Sequence, residues 1–402
     1  MQWRYGERSV RAHLFWLVFG GVALIILALL GSMQLLLNQP LRQPVTTMHA
    51  VALKQTVVGK YLFTGTSYWA RAIETEAHGN YAQPFSKLNT FHRETYDGWQ
   101  TDLECPITDN VVPYQVQVDL LKFNCRPEFL PYAAKYFNLI NLANNHTDNE
   151  DGMVGLTETR ERLSKVPGLQ YFGTFDPAVA NDICEVIGLP VRLKVGTHEV
   201  GKANLPVAFC AWHYVFRLPR PGEIAVMKKF ARLMPVFAFA HMGKEYIPKA
   251  DAVQESIAHT IIDQGPEFLI ANQSHWVQNA EVYKGKLIVY STGNFIFDQL
   301  DAETNRGDNI AVNLSLQVDD NVRKWLSLGK SCLVFHDACF SEAQNVGLKK
   351  VSLQLDYGVV ASQGGYRDLT HLADSATQKA VEQRMGWAAV CKELTAPYGC
   401  TK

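Results

Sequence analysis

The chain has no excess of either charge. Its 38 Lys and Arg face 39 Asp and Glu, a net of −1 over 402 residues. That excludes a duplex nucleic-acid binder, which needs a concentrated positive face. None of the eight cysteines stands in a CxxC pair, which excludes zinc-ribbon and thioredoxin-type sites. No internal repeat and no low-complexity segment occurs, so neither a repeat array nor a disordered tract organises the chain. No cysteine follows the first apolar run until Cys105, which excludes a lipid-modified cysteine as an anchor.

What is present begins with that run. Leu14 to Gly31 carries no charge, and the stretch continues to Leu37 with only Ser32 and Gln34 as polar interruptions. About 20 helical residues cross a hydrocarbon core, so residues 14–37 read as a transmembrane anchor. Arg4, Arg8 and Arg11 precede it against Glu7 alone, which puts residues 1–13 in the cytoplasm and the remainder outside. A cleaved secretory signal is the alternative, and it also delivers the main domain to the extracytoplasmic side. The expected localisation is therefore the cell membrane, single-pass. An even set of cysteines suits an oxidising space. Cys391 and Cys400 flank a Pro-Tyr-Gly turn and suit a local bridge, as do Cys105 with Cys125 and Cys332 with Cys339. The full connectivity stays open, and buried thiols remain an alternative.

Residues 38–56, with two prolines, read as an extended linker. The main domain is expected over 57–370 and a helical tail over 371–402. Strands are expected at 57–66, 99–103, 137–143, 169–175, 183–195, 205–212, 234–240, 268–271, 287–290, 309–318 and 349–356, with helices at 152–165, 223–233 and 250–264. Strands alternate with helices in the middle and dominate towards the end, which predicts an α/β sandwich. Three apolar runs stop at histidines: 137–143 before Asn144-Asn145-His146, 234–240 before His241, and 268–271 before Asn272-Gln273-Ser274-His275. Open α/β sheets place ligands beyond their strand ends, so the three histidines are expected to converge.

These motifs come in a fixed order. Asn141-Leu142-Ala143-Asn144-Asn145-His146 precedes Gly152 and Gly155-Leu156. His241-x-Gly243-x-Glu245-Tyr246 follows, then His275-x-x-Gln278, Glu281-Val282-Tyr283-Lys284-Gly285-Lys286, and Tyr290-Ser291-x-Gly293-Asn294-Phe295-x-Phe297-Asp298. From Tyr61 to Tyr357 the chain resembles the CapA family, the poly-γ-glutamate capsule biosynthesis proteins of bacteria. The resemblance implies kinship with calcineurin-like metallophosphoesterases and their four-layer αββα sandwich. It also implies a metal centre at the strand ends. The family pattern places Glu104 as a bridging carboxylate, Asn145 and His241 as ligands of one ion, and His275 as a ligand of another. His146 would steady or protonate a leaving oxygen, and Glu245 would contact the substrate or the ligands.

The chain departs from the pattern at two positions. Gly65-Thr66 stands where the family has Gly-Asp, and Gln273 where it has a second histidine. Asp102 adds an acid beside Glu104 and reads either as a replacement ligand or as a solvated charge. One divalent ion (Mn, Zn or Mg) is therefore expected rather than two, with a metal-free binding pocket as the alternative. Trp69 and Arg71 read as lining a pocket for an anionic polymer, with a surface charge as the other reading of Arg71. Asn294 and Asp298 read as structural. The implied function is a membrane-anchored subunit of poly-γ-glutamate or similar anionic-polymer synthesis and export, working beside other capsule subunits. A metal-dependent hydrolase of phosphoesters or γ-amide bonds is the alternative, and a partner-binding domain without chemistry is a third reading.

Overall fold

The computed structural model describes residues 54–174, 183–333, 336–365 and 367–401. The anchor read at 14–37 and most of the linker lie outside these. Among the described residues no helix is long and apolar enough to cross a membrane.

The strands are β1 (Gln55–Ser67), β2 (Gly98–Leu103), β3 (Leu139–Asn141), β4 (Gln170–Phe172), β5 (Cys184–Val195), β6 (His198–His213), β7 (Val236–His241), β8 (Phe268–Asn272), β9 (Ala280–Tyr283), β10 (Lys286–Val289), β11 (Asn294–Ile296), β12 (Arg306–Gln317), β13 (Gln354–Gln363), β14 (His371–Leu372) and β15 (Tyr398–Cys400). The longer helices are α1 (Arg71–Ala77), α2 (Gly152–Ser164), α3 (Ala252–Ile262), α4 (Asp320–Cys332), α5 (His336–Asn345), α6 (Ser375–Met385) and α7 (Trp387–Glu393).

β1 organises the sheet. One edge pairs with β12. The other edge is divided: Gln55–Val58 pairs antiparallel with β5, and Tyr61–Ser67 pairs parallel with β2. Two limbs leave β1, one running β2-β3-β4 and one running β5-β6-β7-β8-β10-β9. They face each other across a core into which β1 sends Phe63. Its ring lies 5.5 Å from that of Phe239 and 5.7 Å from that of Phe268, on strands that are not its ladder neighbours. Helices cover the outer surfaces, giving the expected α/β sandwich. Because β1 belongs to both limbs, the strands form one branched hydrogen-bonded sheet. Gly65 permits the bend near its end, since a Cβ there would lie 2.3 Å from Gly293 O.

Local chemistry explains the helices. Asp251 Oδ1 accepts from Val253 N and Gln254 N and starts α3, whose Ile257, Ala258, Ile261 and Ile262 turn inward. Asp319 does the same for α4, where Val322, Trp325, Gly329 and Cys332 form the buried stripe. Gly329 is required there because a Cβ would strike Asn204 O on β6.

Several expectations change. The helix read at 223–233 shrinks to Met227–Ala231, because Glu223 is engaged by Arg217 and by Arg220 N. The strand read at 349–356 begins at Gln354. The segment 371–402 is no separate tail: β14 and β15 both pair with β13. All eight cysteines are bridged, the three local pairs together with Cys184–Cys210, which are register partners across β5 and β6.

Glu267, at the entry to β8, ties this C-terminal segment to the sheet. Its carboxylate accepts from Tyr398 Oη at 2.6 Å and Lys350 Nζ at 2.8 Å, with Lys286 Nζ at 3.6 Å. Burial opposes ionisation, but the two lysines outweigh it and hold the carboxyl below its ordinary value. A depressed folded pKa gives stability that is present above the unfolded value of about 4.3. That stability is lost as pH falls through the folded pKa. Wild type should therefore melt above Glu267→Gln at neutral pH, and the two melting curves should converge in acid. Thermal unfolding across the acid range checks this, and parallel curves would contradict it.

Candidate functional site

All the strands that lead into the site end on one side, so their final residues assemble a common floor. On the first limb Asn294, Thr66, Asp102 and Asn141 are successive register partners across β11, β1, β2 and β3. On the second, His213, His241 and Asn272 are partners across β6, β7 and β8. The two rows meet at one contact. His241 Nδ1 lies 2.9 Å from Asp102 Oδ2, and both side chains are 0% exposed. Asp102 is thus no solvated charge, which removes that reading.

Glu104 follows β2 immediately, its backbone N bonded to Ser67 O at 3.0 Å. The Cys105–Cys125 bridge braces the next residue. The loop after β3 is shaped by its amides. Asn144 Nδ2 donates to Leu103 O at 2.5 Å, and its Oδ1 accepts from His146 N at 2.9 Å. Asn149 Oδ1 engages His146 Nδ1 at 2.6 Å, and Phe123 packs on the imidazole at 4.2 Å. The other ring nitrogen, Nε2, stands 3.6 Å from Glu104 Oε1.

Beyond β8 the backbone is strained. Gln273 has φ of 102° and His275 of 57°, values that non-glycine residues rarely adopt. His275 Nδ1 pairs with Asn294 Oδ1 at 2.9 Å, and its ring lies 4.9 Å from that of Phe297. Asn294 is therefore structural, as read, but its work is to orient a site histidine. Gln273 Nε2 reaches the exposed Glu245 at 3.4 Å. Asp298 grips Arg71 through two hydrogen bonds, joining the start of α1 to the loop after β11. Arg71 is partly buried by this pairing, so its surface-charge reading fails. Trp69 is fully buried against Phe85 and Phe129 and lines no pocket, a correction to the reading above.

His241 acts electrostatically on Glu104, His146 and His275, and Glu245 acts on Glu104. Burial raises Glu104 to about 8, helped by Asp102 and Glu245 and opposed by His241. A carboxyl held this way gains from any positive charge set beside it. Burial lowers His146 and His275 to about 4, so both imidazoles are neutral at pH 7. Burial also disfavours a charged His241, but Asp102 outweighs it and raises the group. Gln273 adds to that effect without forming a well-aligned hydrogen bond.

Several buried polar atoms here have no hydrogen-bond partner: Thr66 Oγ1, Asp102 Oδ1, Glu104 Oε2, Asn145 Oδ1, His241 Nε2 and Gln273 Oε1. Buried polar atoms are normally paired, and these six lie at or just beyond the strand ends. Among the described residues no three His, Cys, Asp or Glu side chains gather as a ready-made metal group. The unpartnered set instead mixes carboxylate, amide and hydroxyl oxygens with one imidazole nitrogen, donors that magnesium, manganese and zinc accept. Sequence reasoning missed Asn149 and the Asp102–His241 pairing. The one signal available was a charge inside a strand-like segment.

The model of a family described as bacterial capsule synthesis protein PGA_cap matches residues 57–203 and 223–299, more than half of the chain. The capsule biosynthesis protein CapA of Bacillus anthracis is 28% identical over 40% of this chain and 41% of its own length. The PGA biosynthesis protein CapA of Bacillus subtilis is 29% identical over 40% of this chain and 43% of its own. Each match thus spans less than half of the relative. A solved structure, TT1561 of Thermus thermophilus, is similar at 10% identity with a TM-score of 0.34, covering 63% of this chain and 93% of that one. That likeness is too slight to assign a fold. The agreement of the family model with the motif order read from the residues is sufficient: this chain belongs to the bacterial capsule synthesis protein family PGA_cap.

Proposed function

We propose that this chain is a membrane-anchored, CapA-like protein of poly-γ-glutamate or similar anionic capsule-polymer synthesis and export. In this reading its strand-end site holds one divalent ion, within a fold akin to the four-layer metallophosphoesterases. Family membership supports the process. The unpartnered donors at the strand ends carry the site. Glu104, Asn145 and His241 each offer an unpartnered atom, and His275 stands beside them, oriented by Asn294. When bound, a divalent ion there supplies Lewis acidity and neutralises developing negative charge. His146, neutral and braced by Asn149, is positioned to steady an oxygen or pass it a proton near Glu104. Glu245, exposed at the rim, meets the incoming chain. The partners in this reading are the polymer, the membrane and other capsule subunits.

Deleting the gene in a polymer-producing host should abolish or sharply reduce surface polymer, and unchanged polymer would end this reading. The same unpartnered donors favour a second reading, a metal-dependent hydrolase of phosphoesters or γ-amide bonds. Hydrolysis assays of the purified protein, run beside metal analysis, separate the two. Near-stoichiometric metal, together with hydrolysis lost in His241→Ala, supports the hydrolase. Trace metal and no dependence on His241 removes it.

A further inference from the structure

We propose that the loop after β6 docks the protein on an anionic phospholipid surface. Phe216 and Leu218 enter the acyl boundary, and the cations that follow them engage the headgroups. The proposal rests on the membrane-anchored reading only in that the anchor sets a bilayer nearby. The loop leaves β6 at His213, the register partner of His241 on the floor of the site. Phe216 is 97% exposed and Leu218 65%. With Val253, 54% exposed at the start of α3, they line one cleft of about 740 Å³. Exposed apolar side chains gathered in one place mark a contact surface. Phe216 also has φ of 58°. That conformation costs a bulky residue energy, and no burial within this chain offsets it.

Charge decides what covers this surface. Residues 213–235 carry five cations and one acid, in a chain whose net charge is −1. The acid, Glu223, is buried and paired with Arg217. Arg220, Lys228, Lys229 and Arg232 are exposed. The acids that share the cleft, Glu245 and Asp251, belong to the loop after β7 and the cap of α3, and Lys244 Nζ lies 3.2 Å from Asp251. A soluble anionic polymer would use the cations alone and leave Phe216 and Leu218 in water. A bilayer surface uses both, since apolar tips enter the boundary while basic side chains reach the headgroups. Residues 204–222 also fall between the two stretches that the family model matches, so the shared pattern does not account for the loop.

The test is hydrogen exchange of the full chain in bilayer discs of phosphatidylglycerol and of phosphatidylcholine. Amides of residues 215–218 should exchange about tenfold more slowly in the anionic discs. Phe216→Ser with Leu218→Ser should lose that protection without a change in melting, because both side chains are exposed. Equal exchange in the two lipids overturns the proposal. So does protection that survives the double serine variant, since the apolar side chains then lie outside the contact. Protection by soluble poly-γ-glutamate without lipid, kept in the same variant, would assign the segment to the polymer instead. Protection that needs no lipid and grows with protein concentration would assign it to a second copy of the chain. Should the variant melt early, salt decides on wild type: protection relieved at high ionic strength supports the proposal, and protection indifferent to it overturns it. Release of the chain from the discs by alkaline carbonate would refute the anchor alone. Slowed exchange on adding anionic discs back to the released chain would still uphold the docking loop, and unchanged exchange would overturn it.

Discussion

Phe63→Ala should cost about 3–5 kcal/mol of stability, as truncation of a fully enclosed aromatic does. The ring seats β1 against the limb that carries β6, β7 and β8. Its centroid is 5.5 Å from Phe239, 5.7 Å from Phe268, 6.2 Å from Phe237 and 6.4 Å from Phe209. These contacts come from β6, β7 and β8, so the cavity left by alanine lies between β1 and the limb that those three strands share. Its walls are strands held by their own ladders and cannot collapse to fill the gap. Aromatic pairs add specificity beyond area, about 0.5–1.5 kcal/mol each, and the shared ring makes these terms non-additive. Urea unfolding followed by tryptophan fluorescence checks the value. Phe216→Ala is the control. That side chain is 97% exposed and its loss should stay within about 0.5 kcal/mol. Equal effects for the two variants would mean that Phe63 does not hold β1 to that limb.

His241→Leu should be the other large loss, again about 3–5 kcal/mol. The reason differs. Leucine fills much of the same volume, so the main cost is not a cavity. It is Asp102, left fully buried with neither oxygen partnered. The double variant Asp102→Leu with His241→Leu removes the stranded charge and should recover much of the loss, because a buried ionic pair replaced by apolar groups is often near neutral. A double-mutant cycle by urea unfolding gives the coupling directly. Additive single effects would show that the two groups do not depend on each other.

What the chain discloses locally is legible, and what it settles by register is not. A run such as Phe137–Ala143 followed by Asn144-Asn145-His146 exposes its role within ten letters, because burial and an abrupt polar stop are neighbours in sequence. The same holds for His241 and His275. The Asp102–His241 contact joins positions 139 apart, and no local pattern states which limb a strand end will face. Cys184–Cys210 escaped for the same cause: the pairing follows from a hairpin whose turn lies at Gly196. The outer half of that hairpin, His198 to Asn204, is polar and largely solvent-facing, so it lacked the apolar run that marks a strand. Trp69 misled because an aromatic beside a site motif resembles a binding surface, whereas here it packs in the core against Phe85 and Phe129.

The edge of β1 that pairs with β12 bears on how the protein is made. Thr56 finds its ladder partner in Gln317, 261 positions later. A chain threaded amino end first, from a ribosome or through a translocon, presents β1 long before β12 exists to receive it. Through that interval the strand is a bare apolar edge able to zip onto any other. Long-range pairing of this kind also slows the final search. Maturation should therefore rest on holdase chaperones in the compartment where residue 317 emerges, and yield in a foreign host should follow their supply.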